Sequence, residues 1–253
     1  MAATVFYLDP LPDVGRPAVL DGPEGRHAAT VRRIKPGERL LLADGRGGLA
    51  DAVVTAAGKD RLDLEVTARL DQQPPTPQVT LVQALPKAER SELAVELATE
   101  AGIDVVVPWQ SSRCVARWEG AKIHKGVTRW RNAAIAAAKQ ARRSFVPEVA
   151  DLHHTQQVLE RVREVVGRGA SWHALHESAK SPFASLPLRD APEVMLVVGP
   201  EGGLSDDEIA ALTGAGATAV LLGPTVLRTS TAAAVALGAI GVLTDRWSSA
   251  PID

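Results

Sequence analysis

Residues 195–243 constrain the fold more than any other part of the chain, because strand and helix patterns alternate there around two glycine-bearing turns. Two short apolar runs, 195–198 and 219–222, are each followed by a Gly-Pro pair, which predicts two strands. Glycine-bearing turns at the ends of neighbouring strands are where open α/β sheets bind ligands. The segment therefore predicts an α/β unit with a ligand site at these turns. The alternative is that both are simply tight turns.

Helix signals follow both turns. Ser205 and Glu208 have the spacing of a capping box, which predicts a helix that buries Ile209 and Leu212. After the second turn, the hydroxyls of residues 229–231 are predicted to cap a helix made almost wholly of Ala, Val, Leu, Ile and Gly. A helix that is apolar on every side is covered on every side, so we expect this one to pack against the sheet or against another subunit.

The two turns match neither of the common phosphate-binding loops, since neither leads into Gly-Lys-Ser/Thr and neither contains G-x-G-x-x-G. In order and spacing they resemble the two signature motifs of the RsmE family, with VGPEGGLS at 198–205 and LGPTVLRT at 222–229. Family members usually carry Glu where this chain has Ser230. Similarity to the family extends over nearly the whole chain and includes GRHAATVRR at 25–33, LATEAG at 97–102 and AAAKQARRSFVPEV at 136–149.

The RsmE family consists of SPOUT-class methyltransferases that methylate N3 of a uridine in 16S ribosomal RNA. The resemblance implies an α/β fold with two parts. One is a C-terminal domain with a mostly parallel sheet and a trefoil knot, which binds S-adenosyl-L-methionine (AdoMet) in the knotted loops. The other is a small N-terminal PUA-like β-barrel that holds RNA. The resemblance also implies that the chain forms a homodimer. It further implies that this homodimer binds 16S rRNA or the small ribosomal subunit. No pattern in the residues themselves predicts a knot, and knots are rare.

We expect the cofactor to lie along the backbone of three segments. The predicted cofactor-binding residues are Leu175, His176, Glu177, Gly199, Pro200, Glu201, Gly202, Gly203, Leu222, Gly223, Pro224, Val226, Leu227 and Thr231. Uracil N3 must lose its proton before it attacks, and a cation beside the base oxygens would stabilise the resulting anion. Arg228 is the first candidate for that catalytic role, and Glu201 is a candidate proton acceptor or ligand-positioning group. The alternative for Arg228 is an ion pair that braces the turn.

A Pro-rich break at residues 72–77 predicts a joint between a PUA-like RNA-binding domain at 1–72 and a methyltransferase domain at 78–253. In the first domain, strands are predicted at 39–43, 49–55 and 61–70, and a helix at 24–32. The last of these strands places Leu62, Leu64, Val66 and Leu70 on one face by its period of two, which predicts that this face is buried.

In the second domain, strands and helices alternate, which predicts a mostly parallel sheet. Strands are predicted at 79–84, 105–107 and 172–175, and helices at 89–101, 125–142 and 156–166. On the first of these helices, Leu93 and Leu97 are predicted to form the inner face.

The total charge of −2 gives no argument for nucleic-acid binding, so the argument depends on how the charge is distributed. Nine basic residues lie between positions 113 and 143, opposed within that stretch only by Glu119, which predicts a patch that contacts RNA phosphates. The predicted RNA-binding residues are Arg26, Arg32, Arg33, Arg113, Arg129, Arg142 and Arg143. Trp118 and Trp130 are candidates to stack on a base, although the helical spacing of Trp130 favours the core. The alternative for the basic group is a solvated surface.

Other features exclude several classes of protein. No apolar run reaches membrane-spanning length, no signal segment opens the chain, and the single cysteine, Cys114, fits a reducing compartment, so we expect a cytoplasmic protein. The adjacent pair His153 and His154, without an H-E-x-x-H motif, predicts no metal site. Two competing functions stay open: a non-catalytic RNA-binding protein, and a SPOUT RNA methyltransferase with another target nucleotide. The missing dinucleotide fingerprint argues against an oxidoreductase.

Overall fold

The computed structural model describes residues 4–248, which fall into two compact units. Within the described range, one unit comprises residues up to 74 together with 138–146, and the other comprises 75–137 and 147–248. The predicted domain bounds place 138–146 in the second domain, whereas in the structure this segment is part of the compact body of the first unit.

The first unit is built on a five-stranded sheet with the order β1-β3-β4-β5-β2. Its strands are β1 (Val5–Tyr7), β2 (Pro17–Leu20), β3 (Arg39–Ala43), β4 (Gly48–Ala57) and β5 (Leu62–Asp71). The β1–β3 pair is parallel and the other pairs are antiparallel. Phe6, Leu42 and Leu62 are fully buried in its core. The three strands predicted in this region are all present.

A bulge in β5 changes the predicted buried face. Asp51 of β4 pairs with Ala68, but Ala52 pairs with Val66, so Thr67 is an extra residue in β5. One extra residue turns the following side chains to the opposite face. Leu62, Leu64 and Val66 are buried as predicted, whereas Leu70 is 60% exposed. The prediction that Leu70 shares their face is therefore wrong.

The helix predicted at 24–32 is present, but it changes pitch. It begins as α1 (Gly22–Arg26) and continues as a π-helical turn over His27–Val31. Lys139, from the second segment of this unit, places its Nζ 2.6 Å from Glu24 Oε2. The two side chains are 18% and 29% exposed. The Tyr7 hydroxyl donates to the carbonyl oxygen of Arg143 at 2.9 Å. These contacts explain why residues 138–146 belong to the first unit.

The second unit contains an eight-stranded sheet in which every pair of strands is parallel. The order is β11-β13-β10-β12-β6-β7-β8, with β9 beside β7. Its strands are β6 (Gln78–Ala84), β7 (Val105–Gln110), β8 (Glu148–Val149), β9 (His153–His154), β10 (Ser171–Leu175), β11 (Ser181–Pro182), β12 (Glu193–Val198) and β13 (Thr218–Leu221). The predicted parallel sheet is confirmed.

Five helices accompany this sheet: α2 (Ser91–Glu100), α3 (Ala121–Gln140), α4 (Thr155–Val166), α5 (Asp206–Gly214) and α6 (Thr229–Leu243). The predicted inner face of α2 is wrong. Leu93 is exposed and Leu97 is half-buried, while Ala94, Val95 and Ala98 are buried. Because α2 packs against the Ala- and Gly-rich α6, small side chains at the contact allow the two helices to approach closely.

Helix α6 has a different cap from the one predicted. Its N-cap residue is Arg228, and the cap makes no side-chain hydrogen bond, so the predicted hydroxyl caps are wrong. One side, including Ala236 and Ile240, is buried, whereas Val235 is 44% and Val242 is 76% exposed. In this single chain α6 is therefore covered on one side only, and its outer side presents an apolar stripe.

His173 on β10 gives a prediction about stability. It is almost fully buried, its Nε2 lies 2.7 Å from Ser171 Oγ, and within the described chain Nδ1 has no hydrogen-bond partner. Burial lowers the pKa of His173 to about 4. In the unfolded chain the pKa is about 6.5, so the neutral imidazole contributes stability that is complete above that pH and is lost as the pH falls toward 4. Because of this lowered pKa, we expect the free energy of unfolding to fall by about 3 kcal/mol from pH 7 to pH 4.

Urea unfolding of the wild type and of His173→Asn across this pH range measures the effect, because the packing cost of the substitution is the same at every pH. The variant should lose most of the pH dependence assigned to His173. His124→Asn, which replaces an exposed histidine of α3, is the matched control and should keep that dependence. Equal pH dependence in the wild type and His173→Asn would contradict the prediction.

Candidate active site

A cavity of about 770 Å³ lies at the carboxyl ends of β10, β12 and β13, within the second unit. Because all three strands are parallel and adjacent, the loops that follow them meet at one edge of the sheet. These are the loops to which the two glycine-bearing motifs belong. The structure therefore brings together the two motifs and the segment after β10.

The first loop, residues 199–203, leaves β12 and leads to α5. Gly203 has φ of 69°, a conformation that favours glycine, and its amide donates to the carbonyl oxygen of Pro200 at 2.9 Å. A Cβ at Gly199 would lie 3.1 Å from the buried side chain of Leu204. The glycines thus allow a tight turn that packs closely on the start of the next segment.

The capping box of α5 is confirmed and also fixes a neighbouring loop. Ser205 Oγ accepts from the amide of Glu208 at 3.2 Å, and Glu208 Oε2 accepts from the amide of Ser205 at 3.1 Å. The other carboxylate oxygen accepts from the amide of Ser112 at 2.8 Å. Leu212 is buried as predicted, and Ile209 is only half-buried.

Arg113, a predicted RNA-binding residue, contacts the first loop. Its guanidinium donates to the carbonyl oxygens of Gly202 at 3.3 Å and Leu204 at 3.2 Å, and the residue lines the cavity. In this structure the Arg113 side chain braces the backbone of the loop.

Glu201 joins two loops at the cavity. Its Oε1 accepts from the amide of Lys87, in the segment after β6, at 3.0 Å. The side chain is exposed, and both residues line the cavity. Glu201 therefore has a positioning contact on one carboxylate oxygen, whereas Oε2 has no hydrogen-bond partner among residues 4–248.

The second loop, residues 222–228, presents unpaired backbone groups. The amides of Gly223, Thr225 and Val226 donate to no other described part of the chain, and all three residues line the cavity. A Cβ at Gly223 would meet no atom within 4 Å. Free amides beside open space and apolar side chains suit a cofactor with an adenine ring, a ribose and a charged amino-acid end. The residues present therefore fit AdoMet.

Two predicted cofactor residues lie outside the cavity lining. Pro224 is exposed at the tip of the second loop, and Thr231 lies in the first turn of α6. Thr229 and Ala232 line the cavity, because residues three apart share one helix face. Thr231 is not on that face. Pro224 and Thr231 therefore do not border the cavity, and their part in cofactor binding stays a prediction.

The other predicted cofactor residues border the cavity together: Leu175, His176, Glu177, Gly199, Pro200, Glu201, Gly202, Gly203, Leu222, Gly223, Val226 and Leu227. Sequence reasoning missed further lining residues: Lys87, Glu89, Arg90, Ser178, Leu204, Asp206, Thr225, Thr229 and Ala232. Lys87, Glu89 and Arg90 follow β6, whereas Asp206 begins α5.

Arg228 lies at the cavity with an exposed side chain. Within residues 4–248 it has no salt bridge to a carboxylate, so the structure gives no support to a bracing ion pair at this turn. Two positions further along, Ser230 is buried, and its hydroxyl has no hydrogen-bond partner in the described chain. The arrangement leaves a cation free to meet an incoming negative charge.

Three of the nine cations in the predicted basic patch are paired with carboxylates from elsewhere in the described chain. Arg129 lies 3.3 Å from Glu92, and Arg131 lies 3.2 Å from Asp151. Lys139 is paired with Glu24, as described above. Glu119 is the only acidic residue within 113–143, but carboxylates from outside this stretch reduce the free positive charge of the patch, because ion pairs form between residues far apart in the sequence.

The two tryptophans of this region are both buried. Trp118 and Trp130 pack edge to face with ring centroids 5.3 Å apart, and Trp130 Nε1 donates to Ser91 Oγ at 2.8 Å. The prediction that these rings are free to stack on a base is wrong. The core position favoured for Trp130 is confirmed.

The other predicted RNA-binding residues belong to the first unit. Arg26 and Arg33 are exposed, and Arg32 donates to Thr4 Oγ1 at 3.0 Å. Arg142 and Arg143 are half-buried in the segment that packs on this unit. The cations predicted to bind RNA are thus divided between the two units.

The described residues contain neither a metal-binding cluster nor a membrane-spanning helix. No group of three His, Cys, Asp or Glu side chains in this range is arranged to hold a metal ion. No helix in the same range is long and apolar enough to cross a membrane.

Comparison with known proteins identifies two matching sequence families. The family described as "RNA methyltransferase domain" matches residues 72–241, and the family described as "RNA methyltransferase PUA domain" matches residues 20–67. The first match covers well over half of the chain, and it contains every residue that lines the cavity.

Relatives and solved structures agree with these matches. A ribosomal RNA small subunit methyltransferase E of Mycobacterium bovis is 56% identical over all of this chain and 97% of its own length. The Bacillus subtilis protein of the same name is 32% identical over 89% of this chain and 90% of its own length. A crystal structure of a ribosomal RNA small subunit methyltransferase E from Neisseria gonorrhoeae bound to S-adenosyl methionine superposes with a TM-score of 0.86 at 26% identity, covering 96% of this chain and 98% of that one. This chain belongs to the ribosomal RNA small subunit methyltransferase E family, RsmE.

Proposed function

We propose that this chain transfers a methyl group from AdoMet to N3 of a uridine in the 16S rRNA of the small ribosomal subunit. The observation that carries the proposal is one cavity that is bordered both by unpaired backbone amides and by the unopposed guanidinium of Arg228. Family membership makes the chain an rRNA methyltransferase, and the AdoMet-bound Neisseria protein, which has the same fold, supports the cofactor.

Backbone groups of residues 175–177, 199–203 and 222–227 would hold the cofactor. When bound there, AdoMet supplies a methyl group that a deprotonated nitrogen can accept. The free amides of the second loop would donate to the adenine or to the carboxylate, and the apolar side chains of Val226 and Leu227 would cover the ring. Most of the rate acceleration then comes from holding two reactants in line.

Removal of the uracil N3 proton is the step that this chain's own side chains would promote. The guanidinium of Arg228, placed beside a base oxygen, stabilises the anion that forms and so lowers the cost of deprotonation. Glu201 has one carboxylate oxygen fixed by the Lys87 amide, and the other oxygen is the candidate acceptor for the proton.

The first unit would hold the RNA as the PUA-like domain, with residues 1–72 as its bounds and 78–253 as the bounds of the methyltransferase domain. The exposed cations Arg26 and Arg33, with Arg32 beside them, suit contacts to phosphates, which position an RNA without reading its sequence. Arg142 and Arg143 would extend this surface in the same unit. Arg129 is a weaker candidate for RNA binding than these residues, because Glu92 already opposes its charge.

The proposal includes a cytoplasmic homodimer with a knotted methyltransferase domain. The exposed stripe of α6, which includes Val235 and Val242, supports a second copy as its cover, because large apolar side chains gain free energy when another surface excludes water. At the start of α6, Thr229 donates to the carbonyl oxygen of Gly199. This contact brings the chain back to the end of β12, which is compatible with the knot.

Replacing Arg228 with Ala tests the catalytic assignment. We expect turnover to fall by about 10²-fold, because one preformed contact to the developing anion is lost. The dissociation constant of AdoMet, measured by isothermal titration, should change by less than about twofold, since Arg228 acts on the base. Activity is measured as transfer of a labelled methyl group from AdoMet to small ribosomal subunits. Arg168→Ala, at an exposed arginine after α4, is the control and should keep wild-type turnover. Unchanged turnover in Arg228→Ala would remove this residue from the mechanism.

Light scattering tests the dimer. At micromolar concentration we expect twice the mass of one chain for the wild type and a monomer for Val242→Glu, because a buried unpaired carboxylate opposes association. Val14→Glu places the same charge on an exposed valine of the first unit and should leave the dimer intact. A monomeric wild type would overturn the assignment of α6 as the interface.

Mapping of methylated bases separates the proposed target from the alternatives. Ribosomal RNA from cells with and without this protein should differ by one N3-methyluridine in 16S rRNA. A methyl group on another nucleotide would favour a different SPOUT specificity. RNA binding without any methyl transfer would favour the non-catalytic reading.

A further inference from the structure

Gln83 is a fully buried side chain of β6 that lies outside the cavity lining and yet connects two of the cavity's loops. A buried amide is costly unless its polar atoms are hydrogen-bonded. Its Nε2 donates to the carbonyl oxygen of Ala84 at 3.0 Å and to Thr229 Oγ1 at 3.1 Å. Thr229 Oγ1 donates in turn to the carbonyl oxygen of Gly199. A relay therefore runs from β6 through the first residue of α6 to the first residue of the loop after β12.

The direction of every hydrogen bond in this relay is fixed by chemistry. A hydroxyl carries one proton and a carbonyl oxygen can only accept, so Thr229 gives its proton to Gly199 and must accept from Gln83. The carbonyl oxygen of Ala84 also can only accept. The NH₂ group of Gln83, with two protons, is therefore the group that faces both partners. A carboxylate at position 83 would have no proton for either of them.

Both ends of the relay belong to the cavity. Gly199 opens the first loop, and Thr229 directly follows the second loop, and both residues line the cavity. Because the Thr229 hydroxyl is hydrogen-bonded to the Gly199 carbonyl oxygen, the relay sets the separation between the two loops at the point where they leave the sheet. Gln83 itself borders no part of the cavity, and it acts on the loops only through Thr229.

We propose that Gln83 is a positioning residue for the methyl-donor site, which it acts on by holding the hydroxyl of Thr229 against the Gly199 carbonyl. The inference rests on the proposed function, because it assigns the gap between the two loops to AdoMet. Loss of the relay lets the loops separate, which weakens the cofactor contacts and leaves the RNA-binding surfaces of the first unit unchanged.

Thr229→Val and Gln83→Met test the relay, since each removes the hydrogen bond and keeps a similar side-chain volume. We expect the dissociation constant of AdoMet, from isothermal titration, and its KM to rise about tenfold, the loss that corresponds to about one hydrogen bond. The KM for RNA should stay within about twofold of the wild-type value. Thr229→Ser keeps the hydroxyl and should restore wild-type AdoMet binding. The double variant should bind no more weakly than either single variant, because the two groups act in series.

Thr244→Val is the matched control. It removes another buried threonine hydroxyl at the far end of α6, where Oγ1 donates to the Ile240 carbonyl oxygen, so it lowers stability and should leave AdoMet binding unchanged. Should the first pair of variants fail to fold, Gln83→Leu and Thr229→Ala repeat the comparison without a buried charge. The relay requires weakened binding in these two variants and not in Thr229→Ser. Wild-type AdoMet affinity in the Gln83 variants would overturn the positioning role. A wild type that binds no AdoMet would overturn the proposed function instead.

Discussion

The parallel pairing of β10 with both β12 and β13 is the constraint on which the rest of the site depends. Three segments that are separated along the chain leave the sheet at the same edge because their strands run in the same direction. The loops that follow them then face one another across a cavity, and their backbone amides are directed away from the sheet ladder. Without this pairing, the two glycine-bearing motifs would be two unrelated turns.

Polar groups, most of them buried, give this edge of the sheet a definite shape. Glu208 combines the cap of α5 with a hydrogen bond to the amide of Ser112, and Arg113 holds the carbonyl oxygens of the first loop. Gln83 and Thr229 connect the first loop to the start of α6. Since a buried polar group without a partner is costly, the contacts of Glu208, Gln83 and Thr229 resist displacement of the loops that they hold. The exposed Arg113 adds two hydrogen bonds to the first loop. The cavity is thus preorganised both by groups that line it, Arg113 and Thr229, and by groups behind it, Glu208 and Gln83.

Much of the fold could be predicted from local signals in the sequence. The capping box at Ser205 and Glu208, the apolar strands and the glycine turns each depend on residues within a few positions of one another, and all are present. The errors came where distant residues decide the outcome. A bulge at Thr67 exposed Leu70, the close approach of α6 made small residues the inner face of α2, and Thr229 gave its hydroxyl proton to Gly199 instead of capping a helix.

The same distinction holds for the candidate site. The motifs placed most of the cavity residues, because each motif is a continuous loop whose backbone borders the space. The charge of the predicted RNA-facing patch was predicted less accurately, since Glu92 and Asp151 oppose Arg129 and Arg131 from elsewhere in the chain. Periodicity placed Trp130 in the core, but nothing local indicated that Trp118 would pack on it. Side-chain charge and exposure depend on the fold in a way that backbone turns do not.

The central claim is that the loops after β10, β12 and β13 together bind the methyl donor. A crystal structure of this chain grown with AdoMet tests it most directly. The account predicts electron density for the cofactor between residues 199–203 and 222–227, with the adenine or carboxylate group accepting hydrogen bonds from the free amides of Gly223 and Val226. Clear density for AdoMet at another place on the chain, with these loops in contact with solvent, would contradict it.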